Sequence, residues 1–452
     1  MGKCFPLVPR RVPLVETKYR RIRTQIPVPE SIPVLEKLRK YEPVSMSGQP
    51  PVVWDRADGL NVYDRYGNKW LDFSSGVLVS NAGHGNPEVL KEIRKQLDKP
   101  LLHNYCFPSE IRSLAVEKLV SLSPEPLKKA FLLTTGAEAV ECAVKLARTW
   151  GKKKDKKIII SFEGSFHGRT LGAQMVGGMP ALKEWIPSLD AYIYNVPFPG
   201  EPRCRDKSFS YFEKKIGQLG ISPGEVCGVI SETYQGINAA LMPGEYARKL
   251  REWCDRNGAL LIYDEVQAGF GRTGLMFGFM NCGILPDIFC LGKGISSSLP
   301  LSAVVGRREI MDQYEPGAMT STHTGNPLSC AAFLGSIRAI EENNLVENAA
   351  AMGEIFRKEL GRMYKKYDSI QFLCGAGLVW GIQMGKKGTD IPDPDAAFRV
   401  VEKCMEKGLL FFAPVGLGGG TVKVNPPLTI NREAVLEGCM VLEESIMEAC
   451  RQ

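Results

Sequence analysis

The chain has 452 residues, of which 44% are hydrophobic and 24% charged, with a formal net charge of +7. This length suits two or three domains, and the composition is that of a globular protein rather than a disordered or fibrous one. The charge excess is mild, and the one dense basic run, Gly151 to Lys157, has no interleaved aromatics, so no nucleic-acid partner is expected.

The 13 cysteines include no Cys-x-x-Cys pair, and the 4 histidines lie far apart. Neither pattern has metal-ligand spacing, and no metal site is expected. The start, Met1-Gly-Lys-Cys-Phe-Pro-Leu-Val, lacks the long apolar core of a secretory signal. Pro6 stands where myristoylation of Gly2 needs Ser or Thr. No window of about twenty apolar residues exists, so no membrane span is expected. These features point to a reduced, cytoplasmic protein.

Residues 1–50 are rich in Pro, Arg and Lys and read as an extended arm with one short helix, Ser31 to Tyr41. Alternating stretches at Val52–Asp55, Leu60–Asp64 and Lys69–Phe73, separated by turn residues, read as an antiparallel meander. From residue 87 strands alternate with helices. Strands are expected at Ala130–Thr134, Lys157–Phe162, Val226–Ser231, Ala259–Asp264, Asp287–Leu291 and Ser302–Val305. Helices are expected up to Trp150, from Glu245 to Arg256, and from Pro327 to Glu342. That alternation predicts an α/β fold with a mainly parallel, doubly wound sheet. The expected division is an arm and meander at 1–86, a large domain at 87–342, and a C-terminal part at 343–452. The first and last parts together would make a small α/β domain from both chain ends.

The chemistry gathers at strand ends. The runs Ala259 to Asp264 and Asp287 to Leu291 are buried parallel strands by pattern, and they aim Asp264 and Lys293 at one crevice. An ammonium there is costly unless paired or neutralised, which makes Lys293 a candidate imine-former. A structural salt bridge to Asp264 is the alternative. Thr134-Thr135-Gly136-Ala137-Glu138 ends a strand and opens an amphipathic helix, with Val140, Ala143, Val144 and Ala147 on one face. Its start is either an anion site or a plain capping box with Thr135 as cap. Glu163-Gly-Ser-Phe166-His167-Gly168-Arg169 supplies an aromatic to cover a flat ring, and Glu232-Thr-Tyr-Gln235-Gly236 ends another strand. Ser321-Thr322-His323-Thr324-Gly325-Asn326-Pro327 opens a helix. The tail Gly269-Phe-Gly271-Arg-Thr-Gly274 matches G-x-G-x-x-G, but carboxylates precede it and no clean helix follows, so a dinucleotide site is rejected.

An anion cradle, a stacking aromatic, a carboxylate, an amide and a lysine at one sheet edge suit a phosphorylated pyridine aldehyde, pyridoxal 5'-phosphate (PLP). From Gly59 to Ile430 the chain resembles the class III (ω-) aminotransferases of PLP fold type I. The blocks are Tyr263 to Gly274, Pro286 to Gly294, Ser75 to His84, Phe166 to Arg169, and Gly325 to Pro327. The resemblance implies a transaminase in which Lys293 joins the cofactor and shuttles a proton. It implies that Asp264 keeps the ring nitrogen protonated, Gln267 binds the phenolate oxygen, and Phe166 stacks on the ring. Gly136 and Ala137, with Thr135 close by, would take the phosphate. Thr322 would reach the phosphate of a neighbouring subunit, which implies an obligate homodimer. His167 and Glu232 complete the expected cofactor set, and Val77 and Leu78 would face the substrate.

Two positions depart from the family. Many members that use glutamate carry Glu where this chain has Ile237, paired with an Arg where this chain has Lys423. Lysine is a point charge and lacks the bidentate fork of arginine. The expected reaction therefore moves an amino group from a primary amine or ω-amino compound to an oxo acceptor, a pyruvate-like one favoured over 2-oxoglutarate. The block at Glu232 also differs from the commoner Glu-Pro-x-Gln-Gly and is similar to members acting on amino sugars and other non-amino-acid amines. A PLP-dependent racemase, epimerase or decarboxylase on the same scaffold is the alternative, and no motif separates it.

Overall fold

A computed structural model describes residues 3–450. The chain forms two compact units. One comprises Met1–Asn86, Ile237–Ala239 and Glu347–Gln452, and the other Pro87–Gly236 and Ala240–Val346.

The second unit is built on a 7-stranded sheet. Its spatial order is Lys129–Leu133, Ser302–Gly306, Ile288–Leu291, Leu260–Asp264, Val226–Glu232, Ile158–Phe162 and Ile193–Val196. Ser302–Gly306 runs antiparallel to both its neighbours, and the other pairings are parallel. The chain returns between parallel strands through helices such as Gly136–Lys152 and Gly244–Asn257. The first of these buries Val140, Ala143, Leu146 and Ala147 against Ile159, Ile230, Ile262 and Ile288, with Val144 partly buried beside them. The predicted apolar face is thus the packed one. The second helix stops at Gly258, whose φ of 60° closes a left-handed cap that a side chain would strain. The mainly parallel α/β sheet read from the sequence is the fold observed.

The first unit holds a 6-stranded sheet formed by Val15–Glu16, Arg21–Ile22, Lys69–Asp72, Asn61–Tyr63, Arg56–Asp58 and Leu409–Leu410. A 3-stranded antiparallel sheet comprises Ile370–Ala376, Val379–Met384 and Thr421–Val424. Two details correct the sequence reading. The meander begins at Arg56–Asp58 rather than at Val52, because Gly59 at φ 54° makes a tight turn that pairs Asp58 with Asn61. The arm is also not merely extended. Two short strands join it to the meander, and Phe5, Tyr19, Ile22, Ile26 and Val28 are buried within this unit. Among the described residues no helix is long and apolar enough to cross a membrane, and no group of three or more His, Cys, Asp or Glu is placed to hold a metal.

Candidate active site

Parallel strands deliver their carboxyl ends to one edge of the large sheet, and a cavity of about 170 Å³ lies there. Gly136, Ala137, Phe166, His167, Glu232, Asp264, Gln267 and Lys293 line it, together with Tyr234, Val266, Gly168 and Arg169. A wider groove, about 670 Å³, lies among three helices of the same unit. Paired charges such as Arg338–Glu92 and Lys118–Glu341 line it, and none of the nominated groups does.

The cradle comes from the helix start. Thr135 caps the helix by accepting from the Glu138 N–H at 3.2 Å. The Glu138 carboxylate accepts from the N–H of Thr134 and Thr135, each at 2.9 Å. That reciprocal box leaves the N–H groups of Gly136 and Ala137, the first two residues of a 17-residue helix, aimed out of its end. The capping box expected at Thr135 is therefore observed, and it leaves the helix start open for an anion. A Cβ at Gly168 would sit 2.6 Å from the Ala137 Cβ, so only glycine lets the Phe166 loop close on the cradle.

Asp264 does not pair with Lys293. Its Oδ2 lies 2.7 Å from His167 Nδ1, and its Oδ1 accepts from the Val266 N–H at 3.0 Å. His167 is buried. Burial alone would depress its imidazolium, but the hydrogen bond and charge of Asp264 outweigh it, and the net shift is upward. Lys293 follows the strand Ile288–Leu291 with φ 44°, a left-handed conformation that costs a non-glycine residue strain. Among the described residues its ammonium makes no ion pair. Burial lowers its pKa, against the opposing charges of Asp264 and Glu232. Burial thus disfavours its charged form.

Glu232 ends its strand directly opposite Asp264. Its carboxyl is pushed up to about 7 by burial, with His167 lowering it and Asp264 raising it. Gln267 holds its amide against Gly236, where a Cβ would lie 2.1 Å from Nε2. The Tyr234 hydroxyl donates to the Gln267 carbonyl at 3.0 Å.

The remaining nominated residues are not among those that line this cavity. Thr322 is exposed on the turn before the helix Pro327–Glu342 and does not line the cavity. Val77, Leu78, Ile237 and Lys423 belong to the other unit. There Ile237 and Lys423 are buried, Lys423 on the strand Thr421–Val424 opposite Gly381. Val77 and Leu78 sit in a left-handed turn. The His167–Asp264 pair was not legible in the motifs, since its members are 97 residues apart and meet only once the strand order is known. Tyr234 and Arg169 lie within the sequence motifs, but no spacing or pattern there marks them as cavity residues.

A family model described as "Aminotransferase class-III" matches residues 44–446. The chain belongs to the class III aminotransferases. A 4-aminobutyrate aminotransferase of Mycobacterium leprae is 32% identical over 438 residues, covering 94% of this chain and 97% of that protein. A leucine/methionine racemase of Thermococcus litoralis is 33% identical over 411 residues, covering 88% and 91%. The solved structure of a PLP-bound amine transaminase from an uncultivated Pseudomonas species superposes with a TM-score of 0.81 at 28% identity, covering 88% of this chain and 95% of that one.

As a class III aminotransferase the chain uses pyridoxal phosphate, and the cavity has the donor set for it. The N–H groups of Gly136 and Ala137, at the open end of their helix, offer an anion cradle, and Phe166 a ring face. Asp264 offers a buried carboxylate and Lys293 an amine that makes no ion pair among the described residues. The bound cofactor supplies an electron sink; the protein supplies attachment, orientation and proton transfer.

Proposed function

We propose that this aminotransferase takes its amino group from a primary amine or ω-amino compound and passes it to a small oxo acid of the pyruvate type. The observation that carries the site assignment is Lys293, free of any ion pair among the described residues and depressed by burial, facing a cavity that Asp264, Phe166 and Gln267 also line. In this reading Lys293 attaches the cofactor and then holds and returns the proton at the substrate carbon through its Nζ. Asp264, oriented by His167, holds the proton on the ring nitrogen. Gln267 binds the phenolate oxygen, Phe166 covers one ring face, and Gly136 and Ala137 receive the phosphate beside Thr135. His167 and Glu232 support these contacts.

The donor class draws support from the 4-aminobutyrate aminotransferase relative, since 4-aminobutyrate is an ω-amino acid. The acceptor preference rests on Ile237 and Lys423, which replace the Glu and Arg that accommodate a dicarboxylate. Val77 and Leu78 supply an apolar wall for the amine-bearing carbon. The active form is a homodimer in which Thr322 serves the neighbouring subunit's site, and its location is cytoplasmic.

A half-reaction tests this. PLP-loaded protein is mixed with single amines and amino acids, without acceptor, and the visible band of the bound cofactor is followed. A terminal amine is expected to bleach the band, with pyruvate restoring it at least ten times faster than 2-oxoglutarate, the ratio expected for about 1.4 kcal/mol of lost carboxylate recognition. Equal restoration by the two acids would remove the acceptor assignment. Inversion of an amino acid without bleaching would favour the reaction of the racemase relative instead.

A further inference from the structure

The Glu232 carboxylate has an unusual set of partners. Its Oε2 accepts from the backbone N–H of Phe166 at 3.1 Å, and its Oε1 accepts from the backbone N–H of Gly236 at 2.7 Å. The first bond reaches a loop that follows the strand Ile158–Phe162; the second reaches the turn just beyond Glu232's own strand. A second tie joins the same two segments, since Gln235 Nε2 donates to the Glu163 carbonyl at 2.7 Å. Both segments carry a wall of the cavity. The Phe166 loop brings the aromatic face, and the Gly236 turn lies so close to the Gln267 amide that no side chain fits between them.

Neither bond is needed to finish secondary structure. Phe166 and Gly236 both lie beyond strand ends, where backbone N–H groups must find a partner or a water. A carboxyl that gives each oxygen to a different N–H fixes the spacing of the two segments, and above about pH 7, where it is ionised, both bonds are charge-assisted. Burying a carboxyl beside Asp264 is costly, and a neutral residue would avoid that cost. Holding the clasp in this place is what the carboxylate gives in return.

We propose that Glu232 is a positioning residue: its carboxylate clasps the Phe166 loop to the Gly236 turn, and so sets the separation between the ring-covering aromatic and the Gln267 amide. It acts on the cofactor through these two groups rather than by contact. The inference rests on the reading that this cavity holds the PLP ring.

Glu232→Gln is the decisive variant. Its carboxamide has the same size but one acceptor oxygen, so its amino group must face one of the two N–H donors. Three quantities are read: the melting temperature of the cofactor-free protein, the Kd for PLP, and the visible circular dichroism of the bound cofactor, which reports ring orientation. Glu232→Gln is expected to leave the cofactor-free melting temperature within a few degrees. The Kd is expected to rise about ten-fold or more, as for loss of a charged hydrogen bond, and the dichroic band to shrink. Glu232→Asp, which keeps the charge but shortens the reach, is expected to fall between the two and serves if the glutamine variant does not fold. Wild-type Kd and dichroism in the variant would overturn the clasp. Lys293→Ala separates the two readings. If the wild type shows a visible band that Lys293→Ala loses while Glu232→Gln behaves as wild type, only the clasp fails. If the wild type takes up no PLP, the cavity assignment fails with it.

Discussion

Glu265 lies one residue beyond Asp264. It is fully buried and accepts from Thr233 Oγ1 at 2.8 Å, Gly278 N at 2.5 Å and Phe279 N at 3.0 Å. Burial nevertheless pushes its carboxyl up to about 7, because the three donors offset only part of the desolvation. A carboxyl whose folded pKa is above its unfolded value binds protons more readily in the native state. Its contribution is therefore most favourable below about pH 4.5 and is lost as the pH rises to about 7. The loss is up to about 3 kcal/mol. A Glu265→Gln variant has no such titration. The melting temperature of wild type relative to this variant is expected to fall between pH 5 and pH 8, and a constant difference would overturn the assignment. Residue identities at such sites were readable from the sequence, because strand ends carry Asp264, Glu265 and Lys293 in plain view. Their pairing was not. Whether Lys293 or His167 faces Asp264 depends on which loop lies over the strand, and spacing along the chain does not encode that.

Elements were legible where one physical signal dominated. The central strands are continuous apolar runs, and the helices Gly136–Lys152, Gly244–Asn257 and Pro327–Glu342 have clear starts. The 22-residue helix Leu345–Lys366 went unread, although Leu345, Ala349, Phe356, Leu360 and Met363 recur at helical spacing on its buried face. Charged residues between them dilute the pattern. The edge strand Ile193–Val196 is short and only partly buried, which left it without a periodic signal. The turn Ser75–Leu78 shows what no pattern announces. Ser75, Gly76, Val77 and Leu78 all have φ between 49° and 66°. A buried polar network holds them. Asp72 accepts from the Ser74 N–H at 2.7 Å and approaches His84 Nε2 at 2.7 Å, while the Ser75 hydroxyl donates to the Asn425 carbonyl at 2.5 Å. A non-glycine residue in this region costs about 1–3 kcal/mol. Val77 is 42% exposed, so its packing repays little of that. Val77→Gly removes the strain but adds unfolded-state entropy worth about 0.5–1 kcal/mol. The net expectation is a melting temperature higher by about 2 °C, with slower turnover of terminal amines if Val77 is their wall. A fall in melting temperature would mean that Val77 is held by packing rather than by strain.

At the scale of the whole molecule, one apolar surface of the larger unit lies open beside a proposed functional residue. Leu101, Leu102, Tyr105 and Phe107 are exposed, Phe107 at 73%. The loop that carries them is tied to the turn bearing Thr322. The Tyr105 hydroxyl lies 3.1 Å from Thr320 Oγ1, and Asn326 Nδ2 donates to the Leu102 carbonyl at 2.8 Å. Contiguous exposed apolar residues mark interaction surfaces. A second copy covering this loop would bury the patch and carry Thr322 to a neighbour's cradle in the same step. Two variants inactive for different reasons test the sharing. Under the proposed roles, Lys293→Ala would remove the attaching amine, and Thr322→Asp would set a carboxylate against the phosphate. Mixed after dissociation, each heterodimer would hold one site that lacks both functions and one that combines an intact Lys293 with an intact Thr322 from the other protomer. Activity should return on mixing, to at most about half of that of a wild-type dimer in each heterodimer formed, since only one of its two sites is whole. If Thr322 instead served its own protomer, every site in the mixture would lack one function, and mixing would restore nothing. Phe107→Asp should block the recovery by placing a charge in the covered patch, and recovery undiminished by it would move the interface away from this loop.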